Sequence, residues 1–348
     1  MSDPSPSAPS ESEWFAFIDA QFAQEHREAA KQYAKKLLDG GLPVVFDLKH
    51  LELYVGIDHF VLASMVYAPR SFYRRYQMAK RLGGTREITA PMPSLLEVQR
   101  WVLKRILQKR PLANSVHGFR AGRSIVSNVQ PHLGARCILR MDLKDFFPSI
   151  RSHRIRGLFA TLGYSSRVAW DLARLCTIDD ALPQGAATSP ALANIIGRRM
   201  DLRLEGLSRR LGLQYTRYAD DLTFSGETMS LRLPGIIESI VADEGLCIND
   251  AKTRLMRGSS RKIVTGISVG SGTAHLPRLA RRQLRAEVFA VMRSGPMEYV
   301  RGRNIGDPQY LQRLLGRVAF WLQVEPTNEL AQRAHRALSE FYRQARST

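Results

Sequence analysis

The chain has 348 residues, 44% of them hydrophobic and 24% charged, which is enough apolar content for two or three compact units with cores of their own. Lys and Arg outnumber Asp and Glu 51 to 32, a net charge of +19 that points to a polyanionic partner, nucleic acid before others. Cys137, Cys176 and Cys247 are far apart and form no CxxC pair, which fits a reducing compartment and speaks against a zinc site, and no apolar run reaches membrane-spanning length.

Met1 to Ser10 is rich in Pro and Ser, lacks the basic start and apolar core of a signal peptide, and reads as a disordered tail. Ser12 is placed to cap a helix running to about Leu38, with Phe15, Ile18 and Phe22 at helical spacing and Gly40-Gly41 ending it. A second helical region spans Leu48 to Tyr67. Arg70 to Arg86 is strongly basic, and Glu87 to Pro91 reads as a short strand. Leu95 to Leu107 is predicted helical, with Leu96, Trp101, Ile106 and Leu107 as core residues.

From Arg136 the pattern changes. Cys137-Ile-Leu-Arg-Met-Asp-Leu143 is predicted to be a buried strand ending in Asp142. A helical segment from Arg154 to Thr177 follows, then the Gly/Pro loop Pro183-Gln-Gly-Ala-Ala-Thr-Ser-Pro190, which opens a helix through Leu204. Tyr215 to Phe224 is rich in β-branched and aromatic residues and reads as a hairpin, with Ala219-Asp220 as a two-residue turn because Asp tolerates turn geometry. A helix from Leu231 to Glu244 and a strand from Lys262 to Val269 come next. Residues 278–348 hold 13 Arg and no Lys against 6 acids, and Leu311, Leu314, Leu315, Val318 and Leu322 keep helical spacing, so this segment pairs an apolar face with a cationic one. Strands and helices alternate irregularly, an α+β arrangement without internal repeats.

The chemistry-bearing feature is the pair Asp220-Asp221 at the hairpin tip. Two acids forced together on a turn repel each other unless a cation lies between them, and hard oxygen donors with open positions suit Mg²⁺. Asp142, at the end of its own strand, can join them if the hairpin lies alongside. Such a trio can hold two metal ions for an in-line displacement at phosphorus.

The ordered series Asp142-Leu-Lys-Asp-Phe-Phe147, Pro183 to Pro190 and Tyr218-Ala-Asp-Asp221 resembles the motif series of reverse transcriptases. The resemblance runs from about Tyr73 to Gly270 and takes in Thr85-Arg-Glu-Ile-Thr-Ala-Pro91, His117-Gly-Phe-Arg-Ala-Gly-Arg-Ser124, Asn249-Asp-Ala-Lys-Thr253 and Val264-Thr-Gly266. It implies a right-hand polymerase with fingers, a palm built on an antiparallel sheet, and a small helical thumb. On this chain that places a tail at 1–10, an N-terminal helical region at 11–69, fingers at 70–135, palm at 136–275 with a fingers insertion around 150–182, and a basic helical thumb at 276–348.

The same resemblance implies roles. Asp142 and Asp220 would be the chief ligands of two Mg²⁺ ions, with Asp221 completing the cluster and Leu143 offering its carbonyl. Asp145 and Phe146 would lie along the incoming triphosphate through their backbone amides. Phe147 falls at the steric gate, where an aromatic ring leaves no room for a 2′-hydroxyl and selects dNTPs by a clash. Gln184 and Gly185 would meet the nascent base pair, Arg86 would grip the triphosphate, and Lys252 would protonate the leaving pyrophosphate.

Within reverse transcriptases the chain is most similar to the bacterial retron enzymes. Val264-Thr-Gly266 matches one of their motifs, and Asn128-Val-Gln-Pro-His132 resembles another, with Val129 where Ala is usual. The length leaves room for no maturase, RNase H or endonuclease domain. This resemblance implies a structured noncoding RNA as partner, contacted through Asn128, His132, Val264, Thr265, Gly266, Arg281, Arg282 and Arg285. It further implies an RNA–DNA product joined by a 2′–5′ branch, an effector protein, a role in phage defence, a cytoplasmic location and no membrane partner. Three alternatives stay open: a group II intron-like or diversity-generating reverse transcriptase, an idle RNA-binding protein on the same scaffold, and untemplated nucleotide addition.

Overall fold

The computed structural model describes residues 9–79 and 83–344. The tail at 1–8 and residues 80–82 of the basic stretch lie outside the described residues. The chain forms two compact units, each discontinuous in sequence: one built from residues up to 114, 143–202 and 238–247, the other from 115–142, 203–237 and 248 onward.

The first unit is mostly helical. Its opening helix, Glu11–Gln21, is capped by Ser10 rather than Ser12: Ser10 Oγ accepts from the Glu13 N–H at 3.3 Å while the Glu13 carboxylate accepts from the Ser10 N–H at 2.7 Å. The single helix expected to reach Leu38 is two, because Phe22 turns extended and sets its ring 5.0 Å from that of Phe46 before Gln24–Asp39 begins. Leu48–Val55 and His59–Tyr67 are likewise separated by a left-handed Gly56. Strands β1 (Tyr73–Ala79) and β2 (Thr85–Pro91) pair as an antiparallel hairpin, with Tyr73 opposite Pro91. Strand β1 was not foreseen: six of its seven residues are exposed, so it lacks the alternation that marks a half-buried strand.

The helix Pro93–Val102, continued by a π turn at Leu103–Leu107, buries Leu95, Val98, Val102, Ile106 and Leu107. Leu96 and Trp101, expected in the core, are only half-buried because they sit to either side of that stripe. Buried Gln99 ties the unit together. Its amide Nε2 donates to the Tyr73 hydroxyl at 2.9 Å and the Leu175 carbonyl at 3.0 Å, and its Oε1 accepts from the Ala187 N–H at 3.2 Å. The segment expected as one helix from Arg154 is two, Ser152–Leu162 and Ser166–Cys176, divided at Gly163 with φ +114°. Beyond the Gly/Pro loop, the predicted helix through Leu204 is Ser189–Ile196 followed by Arg198–Arg210.

The second unit carries a four-stranded antiparallel sheet in the order β4-β5-β3-β6, from β3 (Cys137–Asp142), β4 (Gln214–Tyr218), β5 (Asp221–Gly226) and β6 (Arg254–Met256). The buried residues of β3 and β5, among them Ile138, Leu139, Leu222 and Phe224, explain why these read as strands in the sequence. The expected strand from Lys262 to Val269 is a tight hairpin, β7 (Ile263–Val264) and β8 (Ile267–Ser268). Its turn residues Thr265 and Gly266 are both left-handed, at φ +43° and +84°. Helices Arg278–Ser294, Pro296–Gly302, Tyr310–Val324 and Glu329–Gln344 complete the unit around Leu284, Val288, Leu311, Leu314, Val318 and Trp321. Leu315 and Leu322 flank this core half-buried. Among the described residues no helix is long and apolar enough to cross a membrane.

Candidate active site

Three acids converge in the second unit. Asp142 ends β3 and lies opposite Asp221, the first residue of β5, so the register of one strand pair brings them side by side. Asp220 occupies the two-residue turn between β4 and β5. The turn is the two-residue Ala219-Asp220 turn expected from the sequence, and its left-handed residue is Ala219, at φ +57°. Hairpins of this length commonly place glycine at such a position, and holding a side chain there costs roughly 1–3 kcal/mol.

Two cations offset the carboxylates. Lys252 Nζ donates to both oxygens of Asp142, at 2.9 and 2.8 Å, with the Asn249 amide 3.5 Å from the same group. Arg140 Nη2 donates to Asp221 Oδ1 at 3.1 Å. Burial, then the charges of Asp142 and Asp221, raise the Asp220 carboxyl above the usual carboxylate range, and Lys252 opposes part of that rise. The bond to Asp142 in turn raises Lys252. A site that makes Asp220 costly to ionise is one that a multivalent cation stabilises, and the oxygen donor set fits a hard ion.

The first unit holds the other expected residues. Asp145, at φ +46°, precedes the short turn Phe146–Ser149, which packs on the helix Ser189–Ile196. Phe146 is buried and Phe147 half-buried, their ring centroids 5.6 Å apart. The Gln184 carbonyl accepts from the Thr89 N–H of β2 at 2.8 Å. Gly185, at φ +132°, lies so close to β2 that a Cβ would stand 2.9 Å from the Thr89 carbonyl oxygen, which leaves glycine as the residue that fits. Arg86 is exposed on that same strand. Leu143, next along the chain from Asp142, is buried.

The residues expected to meet RNA divide in two. Asn128 and His132 are fully buried, a correction to their assignment as direct contacts. The His132 ring nitrogens lie 2.6 Å from Ser225 Oγ and 2.8 Å from Thr216 Oγ1, while Asn128 Nδ2 donates to Thr265 Oγ1 at 3.4 Å. Val264 is buried, Thr265 half-buried and Gly266 exposed. Arg282 and Arg285 are exposed and Arg281 half-exposed on the helix Arg278–Ser294. Beside them a groove of about 660 Å³ is lined by Arg261, Lys262, Arg278 and Arg282.

The buried histidines make stability pH-dependent. Burial, then His117, pushes the His132 imidazole down to about 3, and burial, then Arg123 and Arg120, pushes His117 down to about 4. An unfolded histidine titrates near about 6.5, so the unfolded chain takes up protons first. The stability these groups contribute is complete above that pH and is lost as pH falls toward the folded values. For His132 the loss at pH 5 is about 2 kcal/mol. Denaturant midpoints measured from pH 7 to 5 should therefore fall less steeply for His132→Asn than for the native chain. Equal slopes would remove His132 from this role.

Arg140 was missed in the sequence, though a signal existed: a lone arginine in an apolar strand, two residues from Asp142 and hence on its face. Arg217, another arginine inside a strand, was also passed over.

The family described as reverse transcriptase (RNA-dependent DNA polymerase) matches residues 78–285, and the chain belongs to this family. It is 39% identical over 298 residues to the retron Mx65 reverse transcriptase of Myxococcus xanthus, covering 79% of this chain and 70% of that one. It is 36% identical over 273 residues to the retron Ec86 reverse transcriptase of Escherichia coli, covering 77% and 85%. Among solved structures, telomerase from Candida albicans in complex with a fragment of telomeric RNA matches 77% of this chain and 63% of its own, at 11% identity and a TM-score of 0.44. By the family match and the two retron enzymes the chain is an RNA-directed DNA polymerase of retron type, from a family that uses divalent metal ions, RNA templates and nucleotide substrates.

Proposed function

We propose that this polymerase copies part of a cognate structured noncoding RNA into single-stranded DNA, starting from a 2′-hydroxyl of that RNA. The product would stay joined to RNA through a 2′–5′ branch, and the enzyme would act in the cytoplasm, with an effector protein, in defence against phage. The convergence of Asp142, Asp220 and Asp221 carries the catalytic part of this reading.

Asp142 and Asp220 are assigned as the chief ligands of two Mg²⁺ ions, with Asp221 and the Leu143 carbonyl completing the set. Those ions, when bound, lower the pKa of the attacking hydroxyl and neutralise charge on the phosphates. Lys252 holds Asp142 in place and, once released from it, can give its proton to the departing pyrophosphate. Arg140 fixes the rotamer of Asp221 and limits its share of the metal. Phe147 closes the space beside the sugar 2′ position. Gln184 and Gly185 present backbone to the nascent base pair, Asp145 and Phe146 offer amides to the triphosphate, and exposed Arg86 supplies it a cation.

Recognition of RNA would rest on shape and on the 2′-hydroxyl. Thr265, Gly266 and the Arg281, Arg282 and Arg285 face make the contacts, while Val264 and Asn128 support their hairpin from within and His132 ties β4 to β5.

Expression of the chain with its flanking locus tests the reading. The expected product is single-stranded DNA whose 5′ end is covalently held to RNA. Linear DNA without a branch would move the enzyme to the group II intron-like or diversity-generating type.

A further inference from the structure

The turn that carries Asp220 does not choose its own shape. Ala219 holds φ +57°, where glycine is the ordinary occupant. Two neighbours meet it, one at its carbonyl and one at its nitrogen. Arg217, two residues upstream on β4, is 0% exposed and donates from Nη1 to the Ala219 carbonyl at 3.0 Å. Its own backbone is anchored on both sides. The Arg217 N–H donates to the Ser115 carbonyl at 2.8 Å, and its carbonyl accepts from the His117 N–H at 2.9 Å. Val116 thus lies parallel to Arg217 as a short extra strand. Ser115 is fixed in turn, its N–H donating to Glu205 Oε1 at 2.7 Å.

The extra strand delivers Gly118 onto the turn. A Cβ at Gly118 would stand 2.5 Å from the Ala219 nitrogen and 3.1 Å from the Tyr218 carbonyl carbon, so this close approach tolerates no side chain. A fully buried guanidinium is costly to keep out of water unless its hydrogen bonds are made inside the protein. The bond made here ends on the residue next to Asp220.

We propose that Arg217 and Gly118 are positioning residues of the active site. Arg217 holds the Ala219 carbonyl and Gly118 backs the Ala219 nitrogen. Together they lock the turn in its left-handed form and fix where Asp220 presents its carboxylate. The inference rests on the assignment of Asp220 to the metal centre.

The test uses the full chain with Arg217→Met, Arg217→Lys and Gly118→Ala, each alone and combined with Ala219→Gly. Melting temperature, Mn²⁺ binding by electron paramagnetic resonance, and kcat and KM for dTTP on poly(rA) primed with oligo(dT) are measured. Misplacing a catalytic group by about 1 Å costs on the order of 10²-fold, so Arg217→Met and Gly118→Ala should lower kcat by about that factor and weaken Mn²⁺ binding. KM for dTTP should change little, because the nucleotide's own contacts are untouched. Arg217→Lys, which keeps a donor, should lose less. Ala219→Gly should recover much of the loss in the Arg217→Met background, since glycine adopts the left-handed form without a clamp, but not in Gly118→Ala, whose added Cβ meets the backbone of the turn and not the Ala219 side chain.

A lower melting temperature with native kcat and Mn²⁺ affinity in the folded fraction would reduce both residues to a structural role and overturn the proposal. So would a kcat loss in Arg217→Met that Ala219→Gly leaves unchanged. If Arg217→Met does not fold, Gly118→Ala decides by kcat and Mn²⁺ affinity in its folded fraction. A native chain that binds Mn²⁺ but incorporates no dTTP would instead overturn the polymerase reading itself.

Discussion

Asp220→Ala is expected to lower dNTP incorporation by at least about 10³-fold, the loss that follows when several kcal/mol of charge stabilisation in the transition state disappear. The folded state should not suffer. Burial and the neighbouring charges of Asp142 and Asp221 raise the Asp220 carboxyl, so its ionised form is a burden on the fold at neutral pH. Removing it relieves repulsion, and the melting temperature should hold or rise while activity vanishes. Single-turnover extension of a primed RNA, thermal unfolding and filter retention of RNA read the three quantities separately. Incorporation that survives the substitution would remove Asp220 from the metal centre. Losses of activity, stability and RNA binding in parallel would mark it as a structural residue.

Phe147→Ala should relax sugar selection. The Phe147 ring is half-buried and rests beside buried Phe146, on a turn started by a left-handed Asp145 and seated on the helix Ser189–Ile196. A ring braced this way cannot swing aside for an added hydroxyl. Its truncation opens space for a 2′-hydroxyl, and discrimination resting on such a steric contact is worth about 10- to 200-fold. The ratio of kcat/KM for a dNTP over the matching ribonucleotide should fall by about that factor, mostly through faster use of the ribonucleotide. An unchanged ratio in a folded variant would assign the gate to another residue.

The two arginines inside strands show how differently a charge can act in this fold. Arg140 reaches across the sheet to Asp221, and Arg217 turns inward to the Ala219 carbonyl. Both flank the turn that carries Asp220, Arg140 in a strand otherwise mostly apolar and Arg217 between two tyrosines of β4. Their identity was visible in the chain, but their targets were not.

The distribution of successes has a physical cause. Strands β3 and β5 were legible because they are buried along most of their length, and burial selects apolar and β-branched residues. Strand β1 was invisible because solvent on six of its seven residues removes that selection. Helix breaks at Phe22, Gly56 and Gly163 turned on where an aromatic ring packs or where a left-handed residue is needed. A helical period read from residue types carries on across such points.

From its residues alone the chain determined a basic, mixed α+β protein, the three acids Asp142, Asp220 and Asp221, and the hairpin that carries two of them. Those properties depend on residue type, local periodicity and order along the chain. Tertiary structure decided which charges meet: Lys252 with Asp142 across 110 positions and Arg140 with Asp221 across 81. It also withdrew Asn128 and His132 into the interior, made Thr265-Gly266 a strained turn, and set Arg217 and Gly118 against Ala219. Each of these follows from strand register and chain crossing, which bring distant segments within a hydrogen bond of one another and leave no periodic trace in either segment.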